Sequence, residues 1–325
     1  MSAKEGKGAI YASFAANIGI AISKFIAFLL TGATSLLAEA VHSVVDSSNQ
    51  VLLLIGGQQS KQKPTRTHPF GYGRAHYLYA FIVSIVLFSL GGLFAIYEGV
   101  HKIQHPAAIE SPLIAYTVLV VAMFLEGFAL RTAMNEAKSF KPKKQSWWQF
   151  LRHTKSVNHV VLTMEDSAAL IGLGFAMMGI TLSILTNNPV WDGVGTLMIG
   201  VLLIGVAYVL FTEVKSLLIG EAVDISTERK MRKIILSAER VNHLVDLKTL
   251  YVGPMELFIA MKVIVNAEDS ARIVAETIDE IEAKLRSEFP SARLIYIEPD
   301  IYKSRKEQMR ADKQNITRYT KKKKS

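Results

Sequence analysis

Six apolar stretches, each near the ~20 residues that a helix needs to cross a bilayer, fill the chain before residue 213 and constrain its fold more than any other feature. They run roughly from Ala9 to Leu30, Leu36 to Gly57, Tyr77 to Val100, Leu113 to Met134, His159 to Leu185 and Val190 to Phe211. An even number of spans puts both termini on one side. The longer connections are basic in alternation: Lys61, Lys63, Arg66 and Arg74 lie in one, and Arg131, Lys138, Lys141, Lys143, Lys144, Arg152 and Lys155 in another. The opposite connections carry only Lys102. The positive-inside rule then makes both termini cytosolic. The first span is too long for a signal peptide, and no cleavage site follows it. The chain has no cysteine, which removes disulfide frameworks, zinc fingers, Fe–S clusters and cysteine nucleophiles together. With no targeting signal, these features suit a multi-pass protein of a bacterial plasma membrane.

Two spans are poor membrane helices. Glu39, His42, Asp46 and Asn49 are three, four and three residues apart, so they share one helical face of the second span. Glu165 and Asp166 stand side by side in the fifth. A charged residue at a helix centre costs about 2.5–3.5 kcal/mol on insertion scales, so such groups face a partner or a wet cavity. A structural polar cluster between helices is one reading. A metal site is the better one: His at i and Asp at i+4 present nitrogen and oxygen to a single point, and Asp166 closes a third corner from another helix. Mixed nitrogen and oxygen ligands suit Zn²⁺, and less selectively Co²⁺, Fe²⁺, Cd²⁺ or Mn²⁺. The same groups bind protons, so an entering metal displaces them. Exchange of metal for protons is the minimum machinery of an antiporter.

After Phe211 the composition turns to mixed charge. Lys230 to Glu239 has helical spacing, and Asp246–Val252 and Met255–Val265 read as two strands joined at Gly253-Pro254. Ile273, Val274, Ile278, Ile281 and Leu285 step as a helix that ends before Pro290, and Arg293–Glu298 alternates as a last strand. The expected fold is therefore a membrane all-α six-helix domain at 1–212 and a small cytosolic α+β domain, α-β-β-α-β, at 213–302. A basic disordered tail follows at 303–325. That tail holds ten Lys or Arg against Glu307 and Asp312, nearly all of the chain's net +9. The charge marks a solvated or lipid-facing segment and no nucleic-acid partner.

The run His42-Ser43-x-x-Asp46-x-x-Asn49-Gln50, the loop His68-Pro-Phe-Gly-Tyr-Gly-Arg74 and the ending Ile297-Glu-Pro-Asp300 resemble the cation diffusion facilitator family over roughly residues 8–302. The resemblance implies a homodimeric divalent-cation/proton antiporter, working by alternating access and usually exporting zinc from the cytosol. Its cytosolic domain would fold like a metallochaperone. Position by position, His42 and Asp46 match the second-span half of the transport site, and Asp166 the fifth-span aspartate. Zinc-transporting members generally carry a His four residues before that aspartate, where this chain has Leu162. Glu165 is taken as the fourth ligand, with Thr163 or a water as alternatives; His159 lies too far along the axis. An oxygen-richer site weakens zinc against manganese, iron or cobalt. In the loop after the second span only His68 remains of the family's auxiliary ligands, so that loop reads as structural. Residues 213–302 hold a single His, His243, and Glu298 and Asp300 read as solvated carboxylates.

Lys24 pairs with Glu39 on this reading, Glu126 is a weak candidate for proton handling, and Asp192 lies near water at a span end with no assigned role. The glycines at 172, 174, 179, 193, 195, 200 and 205 serve close helix contact, and Trp147 and Trp148 serve as interface anchors. No nucleotide loop and no Ser/His/Asp set is present, so no enzyme and no prosthetic group are expected. The partners are the metal ion, protons, the bilayer and a second copy of the chain.

Overall fold

The computed structural model describes residues 3–141, 146–147, 157–254 and 256–301. The basic tail and Trp148 lie outside the described residues. The chain divides into two compact units, Met1–Ile219 and Gly220–Ser325.

The first unit is helical. It comprises α1 (Ala3–Thr31), α2 (Thr34–Gln59) and α3 (Ala75–Val86), which runs through a π-helical segment, Leu87–Leu93, into α4 (Phe94–Gln104). Then come α5 (Pro112–Phe140), α6 (Val157–Thr186) and α7 (Val190–Ile219). Four stretches, Ala75–Gln104, Pro112–Asn135, Val160–Thr186 and Val190–Ile219, are long and apolar enough to cross a membrane. Among the described residues, α1 contributes a shorter apolar stretch, Asn17–Thr31. α2 is not among them; Glu39, His42, Asp46 and Asn49 interrupt its apolar residues.

Solvation in this unit is the reverse of that in a water-soluble bundle. Lys24, Glu39, His42, Asn49, Glu165 and Asp192 are buried, while Phe124 and Phe128 on α5 are 77% and 73% exposed. Apolar side chains that face outward and charged ones that face inward fit a hydrocarbon surrounding, where packing and interhelical hydrogen bonds hold helices together. Small residues set how closely they approach. A Cβ on Gly99 would stand 2.9 Å from the Gly193 carbonyl oxygen, and one on Gly200 3.0 Å from that of Gly92. This seam joins the π–α4 stretch to α7. Gly179 and Gly195 make the corresponding contact between α6 and α7, whereas Gly174 and Gly205 meet nothing within 4 Å. Gly91, Gly92 and Gly99 serve the same close packing in addition to the glycines expected to do so.

The second unit packs α8 (Ile225–Leu236) and α9 (Ala271–Glu288) with a three-stranded sheet of order β1-β2-β3. β1 (His243–Gly253) pairs antiparallel with β2 (Glu256–Val265), and β2 pairs parallel with β3 (Ala292–Ile301). Its core is apolar, built on Met231, Ile235, Leu257, Ile259, Val263, Ile281 and Leu285. The element order matches the expected α-β-β-α-β, but α8 starts five residues before Lys230 and ends at Leu236. Asp224 explains the early start: its carboxylate accepts from the backbone N–H of Ser226 and Thr227 and from both hydroxyls. Partial burial pushes the Asp224 carboxyl up, and these hydrogen bonds more than reverse that, to about 2.

Candidate metal site

The site is built on α2, whose start is held from a distant part of the chain. Ala33 at its N-cap offers no side-chain hydrogen bond. Asp192 supplies one instead: it accepts from Thr34 N at 2.8 Å and Ser35 N at 3.4 Å, and from their hydroxyls at 3.0 and 2.5 Å. Thr196 continues the network at 3.2 Å from Thr34 Oγ1. Lys102 Nζ lies 3.9 Å from Asp192 and donates to Gly32 O at 2.8 Å. The expectations for both residues therefore change. Asp192 is 0% exposed rather than beside water, and Lys102 is buried on α4 rather than held in a connection.

One turn after Ser35, Glu39 accepts from Lys24 Nζ at 3.0 Å, both side chains being 0% exposed. Lys24 also donates to Ser43 Oγ at 2.9 Å, so the ion pair read from the sequence is present. A Cβ on Gly172 of α6 would lie 2.5 Å from Glu39 Oε1, so glycine is what admits this carboxylate.

The next turn carries His42 and Asp46. His42 Nε2 lies 3.5 Å from Asp46 Oδ2. Neither ring nitrogen of His42 has a hydrogen-bond partner, nor does Asp46 Oδ1, although all three atoms are buried. Buried polar atoms left unpaired are costly and call for an explanation. A further turn on, Asn49 Nδ2 donates to Glu165 Oε1 at 2.6 Å, a bond that joins α2 to α6. Glu165 is buried, and its neighbour Asp166 is half-buried. Asp46 lies within Coulombic reach of Glu165, Glu126, Asp166 and Lys24. Glu126 is buried on α5, and the Thr163 hydroxyl on α6 is buried without a partner.

The structure thus brings His42 and Asp46 together, ties Glu165 to Asn49, and leaves Asp166 within electrostatic range of Asp46. Among the described residues, no three His, Asp or Glu side chains converge closely enough to hold one ion. Glu165 is engaged by the Asn49 amide instead of by His42 and Asp46. Leu162, in the place of the family's histidine, is half-buried and offers no donor atom.

Two family models cover these units. Residues 10–219 match the one described as the cation efflux transmembrane domain, and residues 224–300 the one described as the cation efflux protein cytoplasmic domain. The chain belongs to the cation diffusion facilitator family. Members of this family are transporters and not enzymes. The proton-coupled zinc antiporter SLC30A9, mitochondrial, of Xenopus laevis is 34% identical over 232 residues, which are 71% of this chain and 41% of that protein. Metal tolerance protein C4 of Arabidopsis thaliana is 28% identical over 71% of this chain and 51% of its own length. The cation-efflux pump FieF of Pectobacterium atrosepticum is 26% identical over 84% of this chain and 86% of its own. The chain spans well under half the length of the Xenopus relative it matches.

Elsewhere in this cation diffusion facilitator, residues considered as auxiliary ligands are engaged in other ways. His68 N donates to Thr65 Oγ1, its carbonyl accepts from Thr65 N and Gly71 N, and its ring lies 4.4 Å from that of Tyr72. Lys262 Nζ bridges Glu298 Oε1 at 2.8 Å and Asp300 Oδ2 at 3.0 Å. Hydrogen bonds to Glu298 and then to Asp300 hold its ammonium above the usual lysine range. These carboxylates thus have a lysine for their cation.

Proposed function

We propose that this chain is a proton-coupled antiporter of a divalent metal cation, zinc before manganese, iron, cobalt or cadmium, exporting it from the cytosol as a homodimer. The observation that carries the reading is the buried His42–Asp46 pair. Its two imidazole nitrogens and one carboxylate oxygen are buried with no hydrogen-bond partner among the described residues and match the donor set of a borderline cation. His42, Asp46, Asp166 and Glu165 are the proposed ligands. Since Glu165 is bonded to Asn49, it must exchange that amide for the ion, and closure of α6 on α2 is what would complete the shell. Metal entry displaces protons from these groups, and their return expels the metal, so one site serves both gradients. Lys24 neutralises Glu39 one turn away and leaves the ligand carboxylates for the cargo. Support for zinc and for proton coupling comes from the Xenopus relative's name, and for the dimer from the matched cytoplasmic domain.

Domain limits of 1–212, 213–302 and 303–325 and cytosolic termini belong to the same proposal. The compartment is a bacterial plasma membrane, in keeping with the bacterial relative that aligns over both units; a mitochondrial membrane, named for the Xenopus relative, is the alternative. The test is flux in proteoliposomes carrying a pH-sensitive dye. Zn²⁺ or Mn²⁺ should drive counter-movement of protons, and Asp46→Ala should abolish it. Absence of metal-dependent proton flux with every first-row divalent ion and with Cd²⁺ refutes the function.

A further inference from the structure

We propose that His101 and His105 form a second, solvent-exposed docking site for a divalent transition-metal ion, at the end of α4 remote from the connection that precedes α3. The two residues are one turn apart, and His105 N donates to His101 O at 2.8 Å, so the helical turn between them is intact. Their ring centroids lie 4.9 Å apart with the planes inclined by 32°. Two imidazoles bound to one ion at metal–nitrogen distances of about 2.0–2.1 Å, at adjacent coordination positions, hold their ring centres about 5 Å apart. The free rings already stand at that separation.

The surroundings favour a cation. The pair occupies the last turn of α4, with His105 as the C-cap, where the helix presents its partial negative charge. Glu98 lies three residues before His101 on the same stripe and adds a carboxylate to the local field. Lys102, the cation nearest in sequence, is turned away to Gly32 O and Asp192. Tyr97, one turn before His101, lies nearly parallel to it, with ring centroids 6.3 Å apart and planes at 19°. Both histidines are exposed at the very end of the apolar stretch Ala75–Gln104, at headgroup level where water reaches, so waters can fill the remaining coordination positions. Two imidazoles with water suit Cu²⁺, Ni²⁺, Zn²⁺ and Co²⁺ and discriminate against Mg²⁺ and Ca²⁺. The site is separate from the buried His42–Asp46 pair and does not depend on the function proposed above.

The experiment uses the full chain in nanodiscs, titrated with Cu²⁺ alone and read by electron paramagnetic resonance, with Zn²⁺ as competitor. Wild type should show saturable binding with a two-imidazole signature that Zn²⁺ displaces. His101→Ala and His105→Ala should each lose that signature and one bound equivalent, with helical circular dichroism unchanged, while Asp46→Ala, whatever it loses at the buried pair, retains the two-imidazole signature. Survival of the signature in His101→Ala overturns the proposal, as does its loss in Asp46→Ala alone or a wild-type dissociation constant weaker than about 1 mM. None of these outcomes bears on whether Asp46→Ala stops transport, so the two proposals fail separately.

Discussion

Replacing Asp192 by Ala removes at once the cap of α2 and the counter-charge of Lys102. A lost N-cap costs about 1 kcal/mol. For the ion pair, 3.9 Å at an effective dielectric constant of 20 corresponds to about 4 kcal/mol. The remaining bond from Lys102 to Gly32 O reduces the net loss. Breaking a buried pair by deleting one member typically costs about 3–5 kcal/mol, so about 4 kcal/mol is expected in total. Unfolding of the purified protein in detergent at neutral pH measures it. Lys102→Met in the Asp192→Ala background separates the two parts, because no unpaired ammonium then remains and the loss is confined to hydrogen bonds: the cap, the Thr34 and Ser35 hydroxyls, and Gly32 O. That double variant should recover to within about 1–2 kcal/mol of wild type. A loss below about 1 kcal/mol in Asp192→Ala, or a double variant no more stable than the single one, would refute the assignment.

Other variants probe the remaining contacts. Lys24→Met leaves Glu39 buried without its cation and should destabilise by about 3–5 kcal/mol. Adding Glu39→Gln should restore most of that in the same unfolding assay. Gly172→Ala drives a methyl against Glu39 Oε1 and should cost about 1–3 kcal/mol. Gly174→Ala, two residues on in open space, should be neutral or gain up to about 1 kcal/mol from helix propensity. The Asp224 carboxyl is held at about 2, below its ordinary 3.8, so its contribution to α8 is complete above pH 3.8 and fades as pH falls towards 2. Protection of the Ser226 and Thr227 amides from hydrogen exchange, relative to their intrinsic rates at each pH, should fall over that interval, and in Asp224→Ala should be low at every pH.

What the sequence shows of this chain follows from how local each cause is. The α-β-β-α-β order is legible because Ile273, Val274, Ile278, Ile281 and Leu285 carry a helical period, and because Gly253-Pro254 separates two apolar runs. The start of α8 is misplaced when periodicity alone is read, since the deciding contact is a carboxylate taken by two backbone amides at 226 and 227. The polar face of α2 is plain from spacing, and so is the Lys24–Glu39 pair, in which two charges in apolar context can hardly do otherwise than meet. The partner of Glu165 is different in kind. Asn49 and Glu165 are 116 residues apart, and only the packing of α2 on α6 decides that the amide meets this carboxylate. The same holds for Asp192, whose role depends on donors 157 and 158 residues away. His101 and His105 stand at an ordinary helical interval, but their significance rests on ring separation, which spacing does not supply.

The π-helical segment Leu87–Leu93 has a consequence for how this span can evolve. Each residue turns an α-helix by about 100°, so the wider winding here resets the phase between the halves of what looks like one uniform greasy rod. Gly99 meets Gly193, and the edge that carries His101 and His105 faces where it does, only because the residue count across 87–93 is what it is. Deleting one residue there would leave the hydropathy almost unchanged while swinging α4 about a quarter turn, carrying the glycine seam and the histidine edge away from their present bearings. Substitution between Leu and Phe is cheap at the outward-facing Phe88, Leu90 and Leu93, whereas a change of length is not. Its information lies in counting rather than in chemistry.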